Sequence, residues 1–190
     1  ILFAKSVILV EGDAELILIP ALVKSTLGVS LDEMGISLVK MDGTVFKHIS
    51  DLFHKERIRS YCAILTDLDE AFVTKTNDTF ATEDFVKSQK NEDKSGKERK
   101  EALETYIEEN PYVKAFYAHN TFETELVKLD QNSDLFTEVM ESNYKKGKRL
   151  ISVKSEIEDR DLCVRYNRAL KFAKKIGKGW LATQMVEHTQ

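Results

Sequence analysis

Residues Val7 to Glu15 read "VILVEGDAE": four apolar residues, then Glu11, Asp13 and Glu15, with one glycine between the first two acids. The apolar, mostly β-branched run predicts a buried strand. The acids that end it repel one another at close range, and each resists dehydration. Their crowding therefore calls for a compensating partner at the end of this strand.

Outward from this stretch, strands and helices alternate. "DAELILIPALVKSTLG" predicts a helix that stops at Gly28, with Pro20 expected to kink it or remove a hydrogen bond. "ISLVKMDG" (Ile36 to Gly43) reads as a second strand. "TVFKHISDLFHKER" reads as a second helix, with Val45, Phe46, Ile49, Leu52 and Phe53 on one face. "YCAILTDLD" (Tyr61 to Asp69) is a third strand that again ends in acids, and "YVKAFYAH" (Tyr112 to His119) a fourth. Strands that are apolar almost throughout suit a parallel sheet covered on both faces, so the fold class is α/β. "KSQKNEDKSGKERKEALETYIEE" mixes both charges densely and reads as a solvated insert leading into an exposed helix. From Thr121 onward the chain reads as helices, including "SEIEDRDLCVRYNRALKFAKKIG". The expected organisation is a core over residues 1–130, with the charged insert around 70–110, and a helical extension over 131–190.

With 190 residues, 42% hydrophobic and 32% charged, the chain has the composition of an ordinary globular protein. A net charge of -4 argues against gripping nucleic acid by bulk charge alone, although a basic face or bound cations would reverse the sign locally. No apolar run approaches the ~20 residues needed to span a bilayer. The first ten residues lack a signal-peptide cleavage site and read as strand. The expected location is cytoplasmic. The absence of an initiator Met suggests a fragment of something longer. Cys62, inside a strand-like run, reads as a buried thiol.

If the first and third strands are neighbours, Glu11, Asp67 and Asp69 converge at their carboxyl ends, where open parallel sheets gather ligands. Glu15 lies one helical turn after Glu11 and can return to the same spot. Hard carboxylate oxygens suit Mg²⁺ or Mn²⁺, and four acids could hold two such ions. A metal pair ~4 Å apart is the arrangement that cleaves phosphodiesters. A helix start with a capping Glu15 would explain the first acidic group alone. It does not explain the E-x-x-x-E together with the D-x-D.

"VEGDAE", "LILIPAL", "TDLD", "TFETEL" and "GKGWLATQM" together resemble the Toprim nuclease domain of the OLD (overcoming lysogenization defect) family, which is related to Gabija-type phage-defence nucleases. The resemblance runs from Ser6 to about His188. It implies a Toprim-like sheet of about four parallel strands flanked by helices, with a C-terminal helical extension. The implied activity is a divalent-metal-dependent endonuclease that cuts DNA with two Mg²⁺ or Mn²⁺ ions.

Position by position, Glu11, Glu15, Asp67 and Asp69 match the family's metal-binding acids. Glu123 in "TFETEL" matches a further metal-binding acid, with Glu125 as its rival. Lys178 matches a catalytic lysine, acting with Glu11 and Asp67, and Asp13 falls where the family varies. Phe122 and Trp180 are expected as core or helix-packing residues rather than base-stacking platforms, and the four histidines carry no metal-ligand spacing.

The resemblance also implies an ABC-type ATPase and dimerisation region preceding this segment, and raises a helicase as a further partner. "YKKGKR" (Tyr144 to Arg149), Lys154, Arg160, Arg165 and Arg168 are the residues to examine for phosphate contact. Two alternatives stand beside the nuclease. One is another Toprim chemistry, of primase or topoisomerase type. The other is a non-catalytic Mg²⁺-binding signalling domain with Asp67 as phosphoacceptor.

Overall fold

In a computed structural model that describes residues 3–41, 46–72 and 82–188, the four expected strands form one parallel sheet. β1 (Ser6–Val10) lies between β2 (Ile36–Lys40) at one edge and β3 (Tyr61–Asp67), with β4 (Val113–Ala118) beyond β3 at the other edge. β1 and β3 run in register from Ser6 opposite Tyr61 to Leu9 opposite Ile64. The chain leaves β1 toward one edge and returns to its other flank as β3. The connections therefore diverge at the carboxyl ends of these two strands, which opens a crevice there.

α1 (Asp13–Leu27) starts after Gly12 and stops where Gly28 turns left-handed at φ 73°. The helix runs through Pro20, forgoing the bond that a backbone N–H there would make to the Leu16 carbonyl. α2 (Leu31–Met34) is a single turn that the sequence reading did not anticipate; Ser30 and Glu33 cap it reciprocally.

α3 (Phe46–Ser50) is much shorter than the expected 44–57 helix. Two acceptors that would continue it are used otherwise: the Arg57 guanidinium donates to the Asp51 carbonyl at 2.8 Å, and the Ile58 N–H to the Leu52 carbonyl at 2.9 Å. Phe46 and Phe53 still reach the core. Val45 and residues 73–81, near the start of the expected insert, lie outside the described residues.

The rest of that insert is a 25-residue helix, α4 (Glu83–Ile107), capped by the Thr82 side chain. It is not merely solvated, since Val86, Gln89, Gly96 and Leu103 are buried. After β4 come α5 (Phe122–Lys128), α6 (Ser133–Asn143), α7 (Lys148–Ile157), α8 (Leu162–Ile176) and α9 (Lys178–His188). The helical stretch read over 155–177 divides, because the Asp161 side chain caps α8 by accepting from the Cys163 N–H.

Two apolar clusters hold these elements. Val7 and Leu9 of β1, Cys62 and Ile64 of β3 and Val113 of β4 point to one face, where Phe46, Phe53 and Leu103 cover them. The second cluster is helical. Ala14 and Leu18 of α1 and Val127 of α5 meet Phe136, Met140, Ile157, Phe172, Leu181 and Met185 of the last four helices. The coverage expected on both faces is incomplete, since β2 is half-buried along its whole length. Trp180, expected in the core or in helix packing, is 54% exposed, while Phe122 packs against the helical cluster. No helix among the described residues is long and apolar enough to cross a membrane.

Candidate functional site

β1 and β3 end side by side, and their acids meet as the pairing requires. Glu11 leaves β1 at the level of the β3 terminus, where its Oε1 accepts from the Asp67 backbone N–H at 3.1 Å and from the Thr66 hydroxyl. Asp67, the last residue of β3, is 9% exposed. Burial, then the charge of Glu11, raises its carboxyl to about 8, and Glu123 and Glu15 push the same way.

Glu15 lies in the first turn of α1 and is buried beside these groups; burial raises its pKa as well. Its Oε2 passes so close to Gly12 that a Cβ there would stand 3.2 Å away. Glycine at that turn lets the side chain fold back over the helix start.

Two later segments complete the group. α5 brings in Glu123, which is 2% exposed and has no hydrogen-bond partner for either carboxylate oxygen. α9 brings in Lys178, whose Nζ stands 3.1 Å from Glu123 Oε2 as an ion pair. Burial works to lower the lysine pKa, but Glu123, Asp67 and Glu15 outweigh it and the net shift is upward. The ammonium is thus held charged amid acids. α9 approaches closely because residue 179 is glycine, where a Cβ would lie 3.2 Å from the Asp13 Cβ.

The remaining expected residues are placed differently. Asp69 sits at φ 53° just beyond β3, and its carboxylate pairs with Arg99 of α4 at 3.1 Å. It does not figure among the charges that shift Asp67. Glu125, the rival of Glu123, accepts from the His119 N–H and pairs with Lys128 at 3.5 Å. Asp13 is tied to Lys40 of β2 at 2.8 Å. Of the basic residues examined for phosphate contact, Arg165 is buried and donates to the Val127 carbonyl and to Asp130, so it serves the fold. Arg168 pairs with Glu156 and Lys154 with Glu141, while Lys145, Lys146, Lys148, Arg149 and Arg160 are exposed.

Two functional neighbours escaped the sequence reading, both on α4. Arg99 donates to the Asp67 carbonyl as well as to Asp69. Gly96 lies against the Leu68 backbone so tightly that a Cβ would fall 1.7 Å from its carbonyl oxygen. α4 therefore clamps the Asp67-Leu68-Asp69 turn. The only signal in the sequence was a lone glycine within a helix-forming, charged run.

The donor set is compatible with a hard divalent cation. Four carboxylates converge, and among the described residues buried Glu123 has no hydrogen bond to its Oε1 and only the Lys178 ammonium at its Oε2, a shortfall that ionic coordination would satisfy. The ligands are not already gathered, however. Among the described residues no three His, Cys, Asp or Glu side chains form a ready-made metal cluster. Glu11 is engaged by β3, Glu123 by Lys178 and Asp69 by Arg99.

Comparisons with known proteins agree with this architecture. A family model described as "Overcoming lysogenization defect protein-like, TOPRIM domain" matches residues 2–69. The C-terminal region of the Burkholderia pseudomallei OLD protein is similar at 26% identity and a TM-score of 0.71, over 98% of this chain and 88% of that one. The C-terminal region of the Xanthomonas campestris pv. campestris OLD protein shares the fold at 24% identity and a TM-score of 0.64, over 98% and 87%. No curated protein sequence matches significantly. The matched motif region, the sheet and the helices that follow it together make this chain similar to the Toprim domain of OLD proteins.

Proposed function

We propose that this chain is the metal-dependent DNA endonuclease segment of a longer protein. The observation that carries the reading is the convergence of Glu11, Glu15, Asp67 and Glu123 on Lys178 from four separate elements. Four clustered acids, of which Glu15, Asp67 and Glu123 are buried, contribute little to folding, so their meeting at a sheet crevice points to chemistry.

In this reading Glu11, Glu15, Asp67, Asp69 and Glu123 hold Mg²⁺ or Mn²⁺, two ions in all. Bound there, the ions supply an activated water and neutralise charge on a phosphodiester. Asp67, between Glu11 and the α4 clamp, orients its carboxylate from the end of a rigid strand. Lys178 holds positive charge where the phosphate gathers negative charge during in-line displacement, and no rearrangement of solvent is needed. Asp69 reaches the centre by releasing Arg99. An ATPase region elsewhere in the full-length protein regulates cutting, and a helicase is a further candidate partner.

Cleavage of supercoiled plasmid with Mg²⁺, Mn²⁺, Ca²⁺ or EDTA tests this. Nicking or linearisation that requires a metal, and that Asp67→Ala and Lys178→Ala each reduce by about a hundredfold or more, supports the reading. Plasmid left intact in every metal, with divalent binding still detected by calorimetry, would leave a non-catalytic metal pocket instead.

A further inference from the structure

Beside the acids, a cavity of about 510 Å³ opens between α4, the start of α5 and the corner joining α8 to α9. Its volume is in the ~300–1,000 Å³ range of ligand pockets. Asp69 and Lys178 line it, so a molecule seated there lies against the candidate active site.

Three features of the wall define what fits. Asn120 is 8% exposed and donates through Nδ2 to the Glu70 carbonyl at 2.7 Å, yet among the described residues its Oδ1 has no partner, and neither does the neighbouring Thr121 hydroxyl. A buried polar atom left unsatisfied costs ~1–3 kcal/mol, so two adjacent ones in a pocket wall favour a ligand carrying N–H or O–H groups. Lys174, exposed in the last turn of α8, makes no ion pair among the described residues, and with Lys178 it sets two ammonium groups at this cavity; of the two carboxylates that also line it, Asp69 is paired with Arg99 and Glu92 accepts from the Ser88 hydroxyl. Phe85, Leu170 and Ala173 add apolar surface that matches a sugar or a base face. Phosphate charge, polar hydrogens and a flat apolar body together describe a nucleotide.

We propose that this cavity seats one nucleotide adjoining the phosphodiester to be cut, with its phosphate at Lys174 and its sugar or base against Leu170 and Phe85. The proposal rests on the nuclease reading and adds a substrate-positioning subsite to it.

Calorimetric titration with deoxythymidine 3′,5′-bisphosphate in Ca²⁺ buffer tests it without requiring turnover. Lys174→Glu and Leu170→Trp are each expected to weaken binding about tenfold or more, the equivalent of ~1.4 kcal/mol. Lys24→Glu, at the far end of α1, is expected to bind as wild type does. Because Lys174 is exposed, its variant keeps the test decisive should Leu170→Trp fail to fold. Equal binding by wild type and Lys174→Glu, or no binding by wild type, overturns the proposal. Plasmid cleavage separates the two readings. Nucleotide binding that depends on Lys174, without cleavage in any metal, keeps the subsite and removes the nuclease; cleavage with an unchanged KM in Lys174→Glu does the reverse.

Discussion

Asp67 is held where a carboxylate is least comfortable, buried at a strand end and facing Glu11, Glu15 and Glu123. Such a placement costs the fold stability. Asp67→Asn keeps the shape while removing the charge, so thermal denaturation in EDTA is expected to show a fold more stable by about 1 kcal/mol. If the acids hold a metal as proposed, Mn²⁺ is expected to raise the melting temperature of wild type and not that of this variant. A destabilised variant would show that the carboxylate serves the fold.

Cys62 makes the opposite case at this scale, a titratable group with a purely structural place. Burial pushes its thiol up to about 12. Below pH 9 folded and unfolded chains both keep the proton, and stability does not depend on this group. Between pH 9 and 12 only the unfolded chain releases it, so stability falls as pH rises. Melts across pH 8 to 10.5 are expected to fall less steeply for Cys62→Ala than for wild type, and native Cys62 is expected to resist iodoacetamide at pH 8.5 until urea is added.

Among the elements, α4 departs furthest from its sequence. Its composition is that of a solvated helix, yet it packs backbone to backbone on the acidic turn after β3. Replacing a mid-helix glycine by alanine ordinarily gains ~0.5–1 kcal/mol. Here the added methyl meets the Leu68 carbonyl, and Gly96→Ala is expected instead to lose about 2 kcal/mol in urea denaturation. The sign alone distinguishes a clamp from a solvated surface. Arg99→Ala leaves Gly96 in place but frees Asp69 and the Asp67 carbonyl. It is expected to alter Mn²⁺ affinity, read by calorimetry, with a shift in the melting temperature smaller than that of Gly96→Ala.

At the scale of the whole molecule, α1 joins the two cores. It follows β1 directly, and its Ala14 and Leu18 pack in the helical cluster with Leu181 and Met185 of α9. Removing α8 and α9 would expose Val127, Phe136 and Met140, which are now fully buried. A chain cut after Glu158 is therefore expected not to fold, as circular dichroism and hydrogen exchange would show. Met185→Ala in the intact chain is expected to cost ~2–5 kcal/mol. α9 carries Lys178, so the same contacts that hold the helical core also deliver the ammonium to the acids.

The local sequence by itself determined the four strands, the helix that stops at Gly28 and the acids at the strand ends. Each of these follows from short-range causes: β-branched runs, a residue free to turn left-handed, and carboxylates following an apolar segment. Motif resemblance then reached Glu123 and Lys178, which nothing in local chemistry links to Glu11.

The tertiary structure decided the rest. It showed that β1 and β3 are neighbours, that α3 stops at Ser50 because side-chain and turn bonds take its carbonyls, and that Arg165 is buried in the fold. It also assigned Asp69 to Arg99 and gave α4 its clamping role. Apart from the stop of α3, whose competing bonds span six residues, these outcomes depend on contacts between residues about 30 or more apart or on one missing Cβ, and neither leaves a periodic trace in the chain.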